Sequence, residues 1–319
     1  MAILLVVILA ISLLIGRYPG LTLLSPERFS SDVLAQRLVL NLRLPRLLTA
    51  VLLGMSLSAA GTVFQMIFGN PLVEPGFLGV SQGAAFGAAF SIIFLGNAAW
   101  MVQGGATLFA FLGLIFSYTL ARRVQFGGWV LRLVLSGIAI SALFSSGLGV
   151  LKYLADPLTQ LPEITFWLLG GLWSLTWKSL LSILPASIVG LYVIYRMRWR
   201  LNLLSLTDET AFSLGTSPAR ERAILLVSAT AVTAAVISVC GMVGWVGLIV
   251  PHLARRTFGA DARLALPGAI LIGGCFTVLC DDLARTLLAG EIPLGIFTSM
   301  IGAAVFILLM STNRLRVQR

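Results

Sequence analysis

The sequence predicts an all-α, polytopic membrane protein with about ten spanning helices, and three observations lead there. Of its 319 residues, 58% are hydrophobic and 11% are charged, where a soluble domain carries about 25% charge. Residues 47–73, 75–121, 133–151, 179–195, 223–254, 264–280 and 292–313 contain no Asp, Glu, Lys or Arg at all. Runs of that length match the roughly 20 apolar residues that a helix rising about 1.5 Å per residue needs to cross about 30 Å of hydrocarbon. A charge at the bilayer centre costs about 2.5–3.5 kcal/mol, which accounts for where charges are missing.

The spans follow in order. Residues 2–16 are apolar, with no basic segment before them and no small-residue cleavage site leading to a polar domain, so they read as a retained helix. The next span runs from Leu47 to Phe68, and Pro45 before it suits a first helical turn, where a missing N–H costs nothing. It opens into Gly69-Asn-Pro-Leu-Val-Glu-Pro-Gly-Phe-Leu-Gly79, a turn broken by prolines and glycines that must be buried in protein, because lipid leaves exposed backbone unpaired. The run 75–121 is too long for one helix and divides near Gly96-Asn97. Residues 133–151 and 179–195 supply one span each. The run 223–254 holds a full span and a shorter one, separated within Gly241-Met-Val-Gly-Trp-Val-Gly247, and 264–280 and 292–313 complete the set. Between spans, Pro162–Trp173 is too apolar for water and too short to cross, which sets Trp167 and Trp173 at the membrane interface. Gly83-x-x-x-Gly87 and the small-residue faces at 54–61 and 141–149 suit close helix packing.

Loop charge orients the chain. With the N-terminus cytoplasmic, alternate loops hold Arg122, Arg123, Arg132, Arg196, Arg198, Arg200, Arg220, Arg222, Arg255, Arg256, Arg263, Arg314, Arg316 and Arg319 inside. Arg17, Arg28, Arg37, Arg43, Arg46, Lys152, Lys178 and Arg285 are then outside, 14 against 8, as the positive-inside rule requires. Both termini are expected in the cytoplasm. The whole chain, 1–319, reads as one transmembrane domain: six spans in 1–197, a cytoplasmic loop at 198–222 and four spans in 223–319. If each half holds five spans, an odd number, the halves enter the membrane with opposite topology and form an inverted repeat.

Several chemistries are excluded. Cys240, Cys275 and Cys280 lie in or beside spans, are odd in number and form no C-x-x-C pair; His252 is the sole histidine. No metal site or cofactor is expected. There is no G-x-x-x-x-G-K-[ST] loop, and both lysines, Lys152 and Lys178, fall outside, so the chain does not itself hydrolyse ATP. No span centre carries the Asp, Glu or His of an ion-coupled transporter. A net charge of +10 scattered one to three residues per loop is not a nucleic-acid footprint.

Two loops carry partner signals. In Leu203–Pro218, Thr207 suits an N-cap, Asp208 and Glu209 suit a first turn, and Gly215 with Pro218 stops the helix. The spacing Glu209-x-Ala211-x-x-x-Gly215 resembles the coupling loop of ATP-binding-cassette importer permeases. The other loop ends in Arg43-Leu-Pro-Arg46, which holds two arginines at the membrane surface. Arg43-Leu-Pro-Arg46, Asn70-Pro-Leu-Val-Glu-Pro-Gly-Phe-Leu-Gly79, Gly244-Trp-Val-Gly-Leu-Ile-Val-Pro-His252 and Glu291-Ile-Pro-Leu-Gly295 occur in the order found in the iron-chelate and vitamin B12 importer permeases, the FecCD family, which the chain resembles over almost its whole length.

That resemblance implies a ten-helix permease in the cell's inner membrane, paired with a second copy or a paralogue. Its other partners would be two cytoplasmic ATPases and a periplasmic or lipid-anchored binding protein. Arg43, Arg46 and Arg285 would meet acidic residues on the binding protein, Asp208, Glu209, Ala211, Leu214 and Gly215 would couple to the ATPase, and Asn70 with Leu72 would close the inner end of the route. A short outer helix within 152–178 would flank the entrance. Gln65, Ser141, Ser145 and Thr298 are the polar residues available along the pathway, too generic to name a ligand. By family, an iron–siderophore leads as cargo, with corrinoid, haem and molybdate behind it. The alternative reading is a secondary transporter or passive channel.

Overall fold

The computed structural model describes residues 1–16, 22, 23, 29, 31–173, 175–288 and 290–311. Arg17, Arg28, Arg314, Arg316 and Arg319, counted in the charge asymmetry, lie outside the described residues. Helices dominate the described chain: α1 (Ala2–Leu14), α2 (Val33–Leu38), α3 (Leu44–Phe68), α4 (Val80–Phe90), α5 (Ala99–Arg123), α6 (Trp129–Leu154), α7 (Gln160–Leu169), α8 (Trp177–Arg196), α9 (Arg198–Leu204), α10 (Asp208–Ser213), α11 (Pro218–Cys240), α12 (Val246–Phe258), α13 (Ala262–Thr286) and α14 (Leu294–Ser311). A two-residue antiparallel ladder pairs Ile15–Gly16 with Thr22–Leu23.

Six of these helices are long and apolar enough to cross a membrane: α2 and α3 as one element (Val33–Phe68), α5, α6, α8, α11 and α13. Shorter apolar helices are α1, α4 with its extension (Val80–Leu95), and α14. With α12, of 13 residues, ten helices stand at the positions of the expected spans, six of them long and apolar enough to cross. The division at Gly96-Asn97 falls between α4 and α5, and the interruption in 241–247 separates α11 from α12.

The second span differs from expectation at its start. Helix begins at Val33, capped by Asp32, whose Oδ1 accepts from the Leu34 and Ala35 amides at 2.8 and 3.3 Å. It passes Pro45 through a π-turn at Val39–Arg43. Proline cannot donate to the preceding turn, and the widened turn accommodates the lost hydrogen bond without ending the helix. Arg285 also differs: it lies in the last turn of α13 with Asp281 and Asp282, not in a loop.

Burial ranks the helices. The apolar window of Val33–Phe68 is 89% buried, against 28% for α5, α6 and α8, so α3 is the central post and the others present broad faces outward, as lipid-facing helices do. Around α3 pack α8, α11, α12 and α13. Contact is close because glycines remove side chains at the crossings. A Cβ on Gly54 would strike the Gly273 carbonyl of α13, and one on Gly61 would strike the Gly247 carbonyl of α12. Thr277 Oγ1 donates to Ala50 O at 2.7 Å across the first crossing, a hydrogen bond that only such proximity permits. Gly83 and Gly87 of α4 meet the backbone of α5 in the same way.

Candidate functional site

Three regions stand out along the molecule, one at its centre and one at each end. At the centre two chain breaks meet, the first by its return limb at Glu74-Pro75, since the 25 residues of α3 carry Gly69 to Leu72 about 37 Å from Arg46 to the opposite end. The first follows α3: Gly69, at φ 59°, ends the helix in the left-handed region, and the Asn70 amide returns to Gln65 O at 3.1 Å, which satisfies a carbonyl the helix leaves open. Asn70 Oδ1 accepts from the Leu72 amide at 2.9 Å, and Leu72 itself projects outward, 58% exposed in the single chain. The second break follows α11, where Gly241 has φ 70° and so does Trp245. A non-glycine residue there costs about 1–3 kcal/mol. Packing holds it: the Trp245 side chain lies against Gly302 of α14, with its ring edge-on to Phe306 at 6.2 Å.

The Pro75 ring of the first break sits on Gly247 beyond the second, where a Cβ would overlap it. Between the breaks lies a cavity of about 300 Å³, with Glu74, Ser81, Gln82, Ser141, Thr233 and Trp245 among its walls. If the spans are counted in two sets of five, each break follows the second helix of its set. Ser141 thus reaches the cavity. Gln65 does not: its amide donates to Leu248 O at 3.0 Å and its carbonyl accepts from Arg255, so it ties α3 to α12. Thr298 is buried and donates to Gly295 O of its own helix at 3.2 Å, and Ser145 sits on the exposed face of α6.

One end is a charge cluster. The Arg46 guanidinium grips Asp281 of α13 with Nη2–Oδ1 at 2.9 Å and Nε at 3.1 Å, and Glu291 with Nη1 at 2.8 and 2.9 Å. Arg285 pairs with Asp282 and lies 4.0 Å from Asp281, while Ser12 of α1 donates to Asp282 at 2.6 Å. Arg43 donates to Leu13 O at 3.4 Å and has no carboxylate within ion-pair range among the described residues. A cavity of about 460 Å³ takes in Arg43, Arg46, Arg285, Glu291, Trp173 and Leu175. The three expected arginines are together, and two of them are bound to carboxylates of the same chain. The acidic partners escaped the sequence reading; a usable signal was Asp281, a charge directly at the end of a charge-free run, which demands a partner.

The opposite end is a small knob that presents apolar side chains among polar ones. α13 has 25 residues, about 37 Å of helix, so Asp261 at its start is far from Arg285. There Asn202 donates to Asp261 Oδ1 at 2.7 Å, and Arg263 and Asn202 together hold the Asp261 carboxyl well below the usual carboxylate range. The next segment forms α10, with Thr207 accepting from the Thr210 amide at 3.4 Å. Gly215, at φ 82°, closes it, and Thr216 Oγ1 donates to Ala211 O at 2.6 Å. Asp208 is fixed to Arg222 of α11 at 2.7 Å, and the Arg222 guanidinium lies 5.1 Å over the Trp129 ring. Ala211 faces inward. Phe212 and Leu214 face water at 71% and 56% exposure, with Glu209 also exposed. Phe212 was missed from sequence, where one aromatic residue among polar ones reads as unremarkable.

The chain is similar in sequence and fold to known proteins. The model of the FecCD transport family matches residues 3–312. The hemin transport system permease protein HmuU of Yersinia pestis is 40% identical over 287 residues, covering 86% of this chain and 83% of its own. The molybdate import system permease protein MolB of Haemophilus influenzae is 36% identical over 320 residues, covering 96% and 92%. A solved structure described as an inward-facing conformation of a metal-chelate type ABC transporter superposes with a TM-score of 0.90 at 36% identity, covering 98% of this chain and 97% of the other.

Proposed function

The chain belongs to the FecCD transport family, and from that membership we propose how it serves as the membrane-spanning permease subunit of a binding-protein-dependent, ATP-driven importer. The observation that carries the reading is the meeting of two interrupted helices at a cavity with mixed polar and apolar walls, an arrangement typical of substrate routes through transport proteins. The protein is a multi-pass membrane transport subunit. ATP hydrolysis belongs to two separate ATPase chains in the cytoplasm. They seat on α10, where Phe212 and Leu214 enter a groove while Asp208, Glu209, Ala211 and Gly215 fix the knob's shape. A periplasmic or lipid-anchored binding protein docks on the arginine end, outside the inner membrane, and both termini are cytoplasmic.

A second copy of the chain completes the route. Leu72 is exposed in one chain because its mate covers it, and Asn70 holds the turn that presents it. The cargo passes the cavity beside Ser141, Gln82 and Glu74. The cargoes named for HmuU and MolB, hemin and molybdate, differ at comparable identity to this chain. Capture specificity therefore resides in the binding protein, and a metal chelate, an iron–siderophore foremost, is the proposed substrate. In proteoliposomes holding the permease and its ATPase, uptake should require both ATP and the binding protein. Uptake driven by an ion gradient without ATP would replace this reading with the secondary transporter.

Two further results are expected. Leu158, 88% exposed, and exposed Ser213 lie on opposite faces; single cysteines there should react with an impermeant maleimide from opposite sides, against a quiet background because Cys240, Cys275 and Cys280 are buried. Labelling from one side only would remove the topology. Leu72→Ala with Asn70→Ala should let loaded liposomes leak cargo without ATP. The mutations cost a turn hydrogen bond worth about 0.5–1.5 kcal/mol and little packing, so the leak should appear in well-folded protein. A tight, folded double mutant would show that this turn is no gate.

A further inference from the structure

We infer that Glu291 occupies, within the resting permease, the seat that a carboxylate of the docking binding protein takes, so that docking displaces it and frees the chain between α13 and α14. This rests on the docking proposed above. The charges at the arginine end are unevenly tied. Asp281 is buried, with side-chain exposure of 2%, between Arg46 and Arg285, and Asp282 is held by Arg285 and Ser12. Neither is reachable by an incoming group. Glu291 is different: its side chain is 43% exposed, and both its oxygens are bound by a single Arg46 nitrogen at 2.8 and 2.9 Å.

Glu291 also sits in a non-helical stretch, residues 290–293, between exposed Gly290 and Ile292, whose amide returns to Ala284 O at 3.2 Å. Removing its carboxylate from Arg46 leaves the Arg46–Asp281 pair intact. The cavity beside it is about 460 Å³, larger than one acidic side chain needs, and it contains Arg43, which has no carboxylate within ion-pair range among the described residues. An entering carboxylate would therefore meet Arg43 without competition and Arg46 in competition with Glu291. A group that binds both arginines has the advantage over one that binds a single nitrogen. Release of Glu291 would loosen the segment that starts α14, and α14 holds Trp245 at the central break through Gly302. Docking outside is thereby linked to the chain break at the cavity.

The test uses full-length permease in nanodiscs and the substrate-binding protein of the same operon. Glu291→Gln should tighten binding about two- to fivefold, the scale of a half-exposed ion pair. Arg43→Met should weaken it by a similar factor. In the wild type, the amides of residues 290–292 should exchange hydrogen faster once the binding protein is docked. If Arg43→Met binds unchanged, the docking face lies elsewhere and this inference falls with it. If Arg43→Met weakens binding but Glu291→Gln does not strengthen it, docking stands and the seat is refuted. Unchanged exchange at 290–292 in the wild type on docking refutes it equally, independent of how either variant folds.

Discussion

Arg46→Ala is expected to destabilise the permease by about 3–5 kcal/mol, the cost of leaving a buried charge without its partner. The charge left behind is Asp281, whose side chain is 2% exposed and whose hydrogen bonds come from three Arg46 contacts at 2.9–3.1 Å. Arg285, 4.0 Å away and engaged by Asp282, is a poor substitute. Thermal unfolding in detergent should show the loss. The double mutant Arg46→Ala with Asp281→Ala should recover much of it, because removing both charges also removes the desolvation penalty. Arg43→Met, by contrast, should unfold close to wild type. Equal stability of Arg46→Ala and wild type would mean that Asp281 finds another partner. The same contrast bears on docking: only Arg43 reports on a partner without also disturbing the fold.

The second large effect is expected at the knob. Phe212→Ala and Leu214→Ala should each weaken ATPase association by about 2 kcal/mol or more, the scale of a central apolar anchor in an interface. Their exposure in the free chain, 71% and 56%, means that neither truncation opens a hole in the permease, so its unfolding should be unaffected. Gly215→Trp should act by another route. Nothing lies within 4 Å of where its Cβ would stand, so the fold does not clash; φ 82° is costly for tryptophan, and the new ring would stand in the ATPase groove. Pull-down of the ATPase by each variant measures the effect. Wild-type recovery by Phe212→Ala with Leu214→Ala would move the interface off α10.

Much of the architecture was readable because hydrocarbon rejects charge. The long spans, the divisions at Gly96-Asn97 and 241–247, and the capped helix after Thr207 all follow from local chemistry. The start of the second span did not. Residues 31–46 mix Asp32, Gln36, Arg37, Asn41, Arg43 and Pro45 with apolar residues, so neither composition nor the proline reveals that the helix is continuous. The arginines were legible as a group but not their engagement: Arg46 and Asp281 are 235 positions apart, and no local pattern pairs them. For Gln65 and Thr298 the residue type suggested a pathway wall, whereas their orientation depends on which face of each helix meets a neighbour. Phe212 was hidden for the converse reason, since exposure of one aromatic residue depends on the folding of the whole loop.

The glycine crossings have a mechanical consequence. Where Gly54 meets Gly273 and Gly61 meets Gly247, backbone touches backbone, and Thr277 and Gln65 bridge the same two contacts with hydrogen bonds. Two such pins along one post resist sliding and rotation together, so α3, α12 and α13 should travel as a single strut. Any transport stroke must then be hinged outside that strut, among helices that grip it through ordinary side chains. Force applied at the knob would reach the arginine end through the strut with little loss, as through a rigid lever.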